Sequence, residues 1–557
     1  MQTGAEILLK SLIEEGIDII FGYPGGANLP IYDALPKFKQ IRHILVRHEQ
    51  AAALAADGYA RASGKTGVCL ATSGPGATNL VTGIANAYMD SIPMIAITGQ
   101  VPTPLIGSDA FQETDITGIV EPITKHTFLI ESIEDIPRIV KEAFYIASTG
   151  RPGPVLIDIP KDISGGSTNK KFTYPKEAKI VGYSPNLDGN PMMIKKVATA
   201  LEKAERPVLL LGHGATISNA MPEIRELVDR LEIPVACTLL GLGALPSGHK
   251  CHLGMLGMHG FAHTNYAMDG ADLIMSLGSR FDDRITGKTA EFGAKATIIH
   301  VDIDPAEIGK NIPTDLAVVG DIKRVTQQLL KVAKKGDYKD WWAQIKEWQK
   351  AYPYKIRNPK YGFTIRDCIY EIYLRTEGEA VIATDVGQHQ MWAAQIYGIK
   401  NPLKWLTSGG SGTMGFGLPA AIGAKFARPK DTVWCLSGDG GFQMNIQELM
   451  TIVDFDLDIK IAVLNNSYLG MVRQWQELFY ENNYSSVNIT SPDYMKLAEA
   501  YGIKGFRATN RKEAAEMTEK ALKHKGPVLI EYKVEMEDNV YPMVPAGKSL
   551  GEVIVEP

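Results

Sequence analysis

The chain has 557 residues, 45% hydrophobic and 22% charged, which suits a globular protein of about three domains with sizeable cores. With 58 basic against 63 acidic residues its formal charge is −5, and that excludes the clustered basic face of a nucleic-acid binder. No apolar run approaches the ~18 residues of a membrane span, and five scattered cysteines without a CxxC pair exclude a disulfide framework.

The opening stretch, MQTGAEILLKSLIEEGID, predicts an amphipathic helix that carries acids. It has neither the basic-then-apolar order of a signal peptide nor the Arg/Ser-rich, acid-poor look of a transit peptide. A cytoplasmic protein is expected, with buried thiols at Cys69, Cys237 and Cys435 inside apolar runs. A plastid or mitochondrial location would require a removed leader.

Short apolar runs then alternate with helical periods, the pattern of parallel α/β folds. IDIIFGYPGG, IRHILVRHE, GVCLATSGPG, PMIAITGQ and PVLIDIP read as strands of a first block, residues 1–165. A polar, Pro/Gly-bearing linker over 165–190 leads to a second block, 190–335, with strands in RPVLLLGHGA, IPVACTLLG, ADLIMSLGSR and ATIIHVDID. A charged, aromatic and partly helical connector over 336–362 leads to a third, 361–557, with strands in AVIATDVGQHQ, TVWCLSGDGGF, IKIAVLNNS and PVLIEYKV. The expected fold is three doubly wound parallel-sheet domains.

The third block carries the strongest chemical signal. Asp439 and Asn466 each stand just past the carboxyl end of a strand, and in a parallel sheet those ends line one edge where ligands bind. An Asp carboxylate, an Asn amide oxygen and nearby carbonyls make a hard-oxygen site suited to Mg²⁺ shared with a diphosphate. Gly438, Gly440 and Gly441 would let that diphosphate approach the backbone at a helix N-terminus. In the first block Glu49 precedes the small-residue helix QAAALAADGYARASG, where a ring could lie close to a carboxylic acid.

GDG followed at a set distance by NN resembles the fingerprint of thiamine-diphosphate enzymes. FGYPGGANLPIYDAL, TSGPGATN, GQVPTPLIGSDAFQE, GRPGPVLIDIPKD, GMHG, GSRFDDRITG and NNSYLGMVRQWQELFY together resemble acetohydroxyacid synthases over nearly the whole chain. The resemblance implies thiamine pyrimidine-binding, central FAD-binding and diphosphate-binding domains, in that order. It implies that Asp439, Asn466 and the carbonyl of Tyr468 hold Mg²⁺, that Gln388 and His389 contact the diphosphate, and that Gly412 and Met414 lie against the aminopyrimidine. Glu49 would stabilise the imino form of that ring. Gln112, Phe111 and Lys161 match residues near the reacting centre, and Gly25 and Gly26 a loop whose N–H groups face a developing oxyanion. Arg284 would bind the carboxylate of the acceptor, while Trp475 would favour 2-oxobutanoate over pyruvate, with Met258 and Val472 beside them. Arg151, Gly212, Gly214, Thr238, Leu239, Met258, His259, Gly278, Arg280, Asp302 and Asp321 would contact FAD, although the residues themselves offer no clean GxGxxG.

The implied reaction decarboxylates pyruvate and condenses the remaining hydroxyethyl unit with pyruvate or 2-oxobutanoate, the first common step toward valine, leucine and isoleucine. Glu49 and Asp439 stand in different blocks that meet across a subunit interface in the family, so a homodimer or homotetramer is implied. The family often adds a small regulatory subunit. A flavin-dependent pyruvate oxidase is the near alternative, with Arg284 and Trp475 against it. A glyoxylate carboligase would lack the acid matched by Glu49, and a non-catalytic cofactor-binding regulator would have no need of Glu49, Asp439 and Asn466 together. Ala52, Leu54 and Ser467 depart from the family pattern at positions without a direct chemical role.

Overall fold

A computed structural model describes residues 1–357 and 360–555. Asn358 and Pro359, within the predicted connector, and Glu556 and Pro557, at the end of the third block, lie outside the described residues.

Three six-stranded sheets, parallel throughout, follow one another along the chain. The first holds β1 (Ile19–Gly22), β2 (Arg42–Leu45), β3 (Gly67–Ala71), β4 (Met94–Gln100), β5 (His126–Leu129) and β6 (Pro154–Pro160), in the order 2-1-3-4-6-5. The second holds β7 (Pro207–Leu211), β8 (Val235–Cys237), β9 (His252–Met255), β10 (Leu273–Leu277), β11 (Thr297–Asp302) and β12 (Leu316–Val319), in the order 9-8-7-10-11-12. The third holds β13 (Val381–Thr384), β14 (Trp405–Leu406), β15 (Val433–Gly438), β16 (Ile459–Asn465), β17 (Lys504–Ala508) and β18 (Val528–Lys533), in the order 14-13-15-16-18-17. First and third sheets thus share one topology, and the central sheet has the order of dinucleotide-binding folds.

The central strands are continuous apolar runs because helices cover both faces. MIAITGQ, PVLIDIP and IKIAVLN are buried along their whole length. Of these eighteen strands five fall outside the sequence expectation, β5, β9, β12, β14 and β17, and every one is at a sheet edge; Gln2–Thr3 and Ser167–Thr168, also not expected, pair antiparallel as a small separate sheet. The opening helix runs Gly4–Glu14 behind a capping box formed by Thr3 and Glu6. Among its described residues the connector contains one helix, Lys339–Ala351.

First and third domains dock through α1 (Glu49–Ser63) and α2 (Gly417–Ala427). A side chain on Gly423 would strike the carbonyl of Ala55, and one on Gly58 would strike that of Ala420, so these helices touch backbone to backbone. The contact joins the apolar interiors of both domains, with Leu54 and Ala55 of one packed among Leu418, Ala421 and Ile422 of the other.

Candidate active site

Each doubly wound sheet opens a crevice where its strand order reverses, beyond the carboxyl ends of the strands. In the third sheet that point lies between β13 and β15. β15 ends in Gly438, and Asp439 begins a short helix, Asp439–Phe442. The chain then breaks at Asn445, whose amide donates to the carbonyl of Gly415 at 2.7 Å, and a 3-10 turn, Ile446–Glu448, leads into the α-helix Leu449–Asp454.

Asp439 is almost fully buried, and its carboxylate has one side-chain partner, the Ser491 hydroxyl at 3.3 Å. Burial pushes its pKa up to about 6, against the pull of that hydrogen bond. Asn466 follows the end of β16, and its side-chain oxygen accepts from the Tyr468 N–H at 3.2 Å. Between them Ser467 takes φ +58°, a left-handed geometry that glycine adopts without strain. Its N–H and hydroxyl both donate to the side-chain oxygen of Asn465, at 3.1 and 3.4 Å, which offsets the cost.

The helix Gln388–Ile396 starts beside Asp439. His389 is buried with Nε2 unpartnered, and burial pushes its ring down to about 4, so it is neutral at pH 7. The Gln388 amide is already committed, donating to Gln474 and to the Asp538 carbonyl at 3.0 Å each. Any contact with a diphosphate therefore falls to its backbone N–H in the first turn, where amides have no intrahelical partner.

These groups line one cleft of about 840 Å³ with Gly412, Met414, Gly440, Gly441 and the Tyr468 segment. Val472, Trp475, Met258 and Arg284 line it as well. Met258 donates its N–H to the Arg284 carbonyl at 2.7 Å, and an Arg284 Nη1–H points to the Met258 sulfur at 3.2 Å. The Arg284 guanidinium is 60% exposed with only a loose pairing to Asp283 at 3.6 Å, so it is free to take an anion. Trp475 packs on Phe479 with ring centres 5.0 Å apart.

The cleft continues into the central domain. Arg151, Gly214, Thr238, Leu239, His259, Gly278, Arg280, Asp302 and Asp321 line that half. Gly212 does not line it. A side chain there would strike the Gly278 carbonyl, so Gly212 serves the close approach of β7 to β10 rather than a ligand surface. Arg151 pairs with Glu307 at 2.6 Å and donates to Ser91 at 2.8 Å. Asp302 is pushed up to about 6 by burial.

Glu49, Gly26, Phe111, Gln112 and Lys161 lie outside this cleft. Glu49 is the first residue of α1, four positions past the end of β2 rather than on the strand. One carboxylate oxygen, Oε2, accepts from Asn79 at 3.0 Å. A side chain on Gly76 would come within 3.2 Å of the other, Oε1, so glycine there keeps it clear. The carbonyl and Cα of Gln112 approach Gly74 in the same crevice, between the ends of β1 and β3. Gly25 corrects the expectation for its loop, because its N–H donates to the Asn28 side chain at 2.8 Å and is not available to an oxyanion. Gly26 is exposed, as are Phe111, at 88%, and Lys161, which opens the short helix after β6.

Comparison with known proteins agrees with this geometry. Residues 2–119 match the thiamine pyrophosphate enzyme N-terminal TPP binding domain, 194–329 the central domain, and 385–532 the C-terminal TPP binding domain. The acetolactate synthase large subunit of Cyanidium caldarium is 49% identical over all of this chain and 97% of its own length. An acetolactate synthase of Arthrospira platensis is 47% identical over 98% of this chain and 96% of its own. The isozyme 3 large subunit of Escherichia coli K12 is 44% identical over 99% of this chain and 98% of its own. The chain belongs to the acetolactate synthase family.

Its residues fit the thiamine diphosphate of that family. The unpartnered His389 nitrogen and the glycines flanking Asp439, at 438, 440 and 441, offer a donor and a close backbone approach to phosphate oxygens. The buried Asp439, with one weak partner and a raised pKa, fits a cation that would supply the missing counter-charge. Among the described residues no cluster of three or more His, Cys, Asp or Glu side chains exists, so such a cation would depend on Asn466, backbone carbonyls and the diphosphate.

Sequence reading missed Asp385. Its buried carboxylate accepts from the N–H groups of Val386, Gly415 and Gly417 at 2.8 to 3.1 Å and so shapes the turn that carries Gly412 and Met414. A side chain on Gly441 would strike it. An acid directly after an apolar strand, two positions before a glycine, was the available signal.

Proposed function

We propose that the chain is a thiamine-diphosphate- and Mg²⁺-dependent catalytic subunit that makes 2-acetolactate from two pyruvates and 2-aceto-2-hydroxybutanoate from pyruvate and 2-oxobutanoate. These are the first common intermediates toward valine, leucine and isoleucine. The observation that carries this reading is the cleft in which Asp439, Asn466 and His389 face Arg284 and Trp475. Bound thiamine diphosphate supplies the electron sink for loss of CO₂ and for joining the two-carbon remainder to a second carbonyl.

Asp439, Asn466 and the Tyr468 carbonyl hold Mg²⁺, and His389 with the amides after Gly387 and Gly438 holds the diphosphate. Gly412 and Met414 lie against the pyrimidine. Glu49 shares a proton at Oε1 with the pyrimidine nitrogen, Asn79 having fixed Oε2. Gly26, Gln112, Phe111 and Lys161 enclose the reacting carbonyl from the same side. Arg284 binds the acceptor carboxylate through two parallel hydrogen bonds. Trp475 and Val472 contact the extra methylene of 2-oxobutanoate, worth about 1–3 kcal/mol of discrimination.

Glu49 stands outside the cleft that holds Asp439 in its own chain, which supports a site shared between two subunits of a homodimer or homotetramer. The domains span 1–165, 190–335 and 361–557. Gly214, Gly278, Arg280, Asp302 and Asp321 in the central half of the cleft would hold FAD, which would have no net redox role. Relatives named as large subunits support a small regulatory subunit as a possible partner. Five buried, unpaired cysteines suit a reducing cytoplasm.

Product analysis with pyruvate, thiamine diphosphate, Mg²⁺ and FAD, with and without 2-oxobutanoate, tests the reading. Acetolactate from pyruvate alone, giving way to acetohydroxybutyrate when 2-oxobutanoate is added, is expected. Acetate or acetyl phosphate with oxygen consumption would make the protein a pyruvate oxidase instead.

A further inference from the structure

Glu448 belongs to the C-terminal domain and is fully buried, yet it touches no part of the cleft. Its carboxylate reaches across to the N-terminal domain of the same chain, where Oε1 and Oε2 accept from the Arg47 N–H at 2.9 and 3.2 Å. Thr451 donates its hydroxyl to Glu448 Oε2 at 2.7 Å and approaches the Leu45 carbonyl at 3.4 Å. The Arg47 guanidinium pairs with Asp454. Three residues of the C-terminal domain thus grip one short segment, Leu45–Arg47, just before α1.

That segment ends at His48, whose Nδ1 accepts from the Gln50 N–H at 3.1 Å and caps the helix. Glu49 is the next residue. Farther along, α1 is locked to α2 by the glycine contacts at Gly58 and Gly423. The helix that presents the acid is therefore fixed at its middle by packing and at its foot by one buried carboxylate.

We propose that Glu448 is a positioning residue for Glu49, holding the Arg47 backbone so that α1 starts where the acid meets the pyrimidine ring. This rests on the proposed role of Glu49. A buried carboxylate is a costly way to hold a short backbone segment, because burial pushes Glu448 up to about 7 against the pull of Thr451 and of the Arg47 and His48 backbone. A hydroxyl or amide would satisfy the same N–H at lower desolvation cost. What the carboxylate adds is two oxygens in a fixed plane, which define the direction of the segment as well as its contact. Catalytic groups need such definition, since a displacement of about 1 Å costs on the order of 100-fold in rate. Glu448 also lies on the stretch that begins at Asp439, so the turn holding the metal of one site and the foot of the helix serving the other share one segment of chain.

The test compares Glu448→Ala, Glu448→Gln and Glu49→Gln. It measures deuterium exchange at the thiazolium carbon of bound thiamine diphosphate, the equilibrium affinity of cofactor-free protein for thiamine diphosphate with Mg²⁺, and amide hydrogen exchange over residues 45–50 without cofactor. Glu448→Ala should slow carbon exchange roughly 10- to 100-fold, leave cofactor affinity within about threefold, and speed exchange of the Arg47 amide. Glu448→Gln, which keeps one acceptor oxygen, should fall between Ala and the parent, and it decides the matter should Glu448→Ala not fold. Abolished carbon exchange in Glu49→Gln, with parental exchange in both folded Glu448 variants, would overturn the positioning role alone. Parental exchange in Glu49→Gln would remove the role of Glu49, and this inference with it. Equal loss of cofactor affinity and carbon exchange in the Glu448 variants would make Glu448 a general structural residue and overturn the proposal.

Discussion

Asp158 shows what burial does to a single residue in this fold. It lies inside β6 with Thr98 donating to one oxygen at 2.7 Å and Gln100 to the other at 2.9 Å. Desolvation nevertheless wins, and its pKa is pushed up to about 7. The folded chain therefore holds this proton more tightly than the unfolded chain, whose Asp titrates near the ordinary ~4. The stability contributed is full below about pH 4 and is lost as pH rises through about 7. Asp158→Asn should flatten that decline, seen as a smaller fall in urea midpoint between pH 5 and pH 8. An unchanged pH slope in the variant would contradict it. Legibility at this scale followed chemistry that stands in a pattern. Asp439, Asn466, His389 and Arg284 were readable because each follows a strand or stands in a distinctive run. Gly25, Asp385 and Glu448 were not, because their roles depend on partners distant in sequence or on one local side chain: Asn28 for Gly25, Gly415 and Gly417 for Asp385, and Arg47 for Glu448.

At the scale of elements, the contact of α1 with α2 decides how the first and third domains are joined. Glycine in a helix interior costs about 1 kcal/mol relative to alanine, so Gly423→Ala would stabilise an isolated helix. Here the added carbon would strike the Ala55 carbonyl, and relieving such a clash costs about 3 kcal/mol or more. The clash outweighs the propensity gain, and Gly423→Ala should lower the thermal midpoint and expose the interface to proteolysis. A raised midpoint would show that the two helices separate easily. The buried strands were legible from their apolar runs, whereas β5, β9, β12, β14 and β17 were not. Edge strands are paired on one side only, and those in HTFL and KGFRA are partly exposed, so they carry no continuous apolar signal. The break in helix at Asn445 has a related cause: its side chain is spent on Gly415, a contact across 30 positions.

At the scale of the whole molecule, the first and third sheets repeat one strand order, and their crevices carry complementary halves of one chemistry. The N-terminal crevice has the acid at Glu49, with Gly26 and Gln112. The C-terminal crevice has Asp439, Asn466 and His389, with Arg284 and Trp475 lining the same cleft. Within a chain these domains are locked through α1, α2 and Glu448 in an arrangement that leaves Glu49 off the wall of the cleft holding Asp439. In the proposed site a second copy of the chain would supply the missing acid. Subunit mixing tests this most directly. Glu49→Gln and Asp439→Asn variants, each inactive alone, are exchanged into mixed dimers, with differently tagged chains confirming the exchange. A shared site predicts recovery of about a quarter of parental acetolactate formation, since half the dimers are mixed and each of those has one intact site. No recovery despite confirmed exchange would mean that Glu49 and Asp439 act within one chain, and would contradict the account.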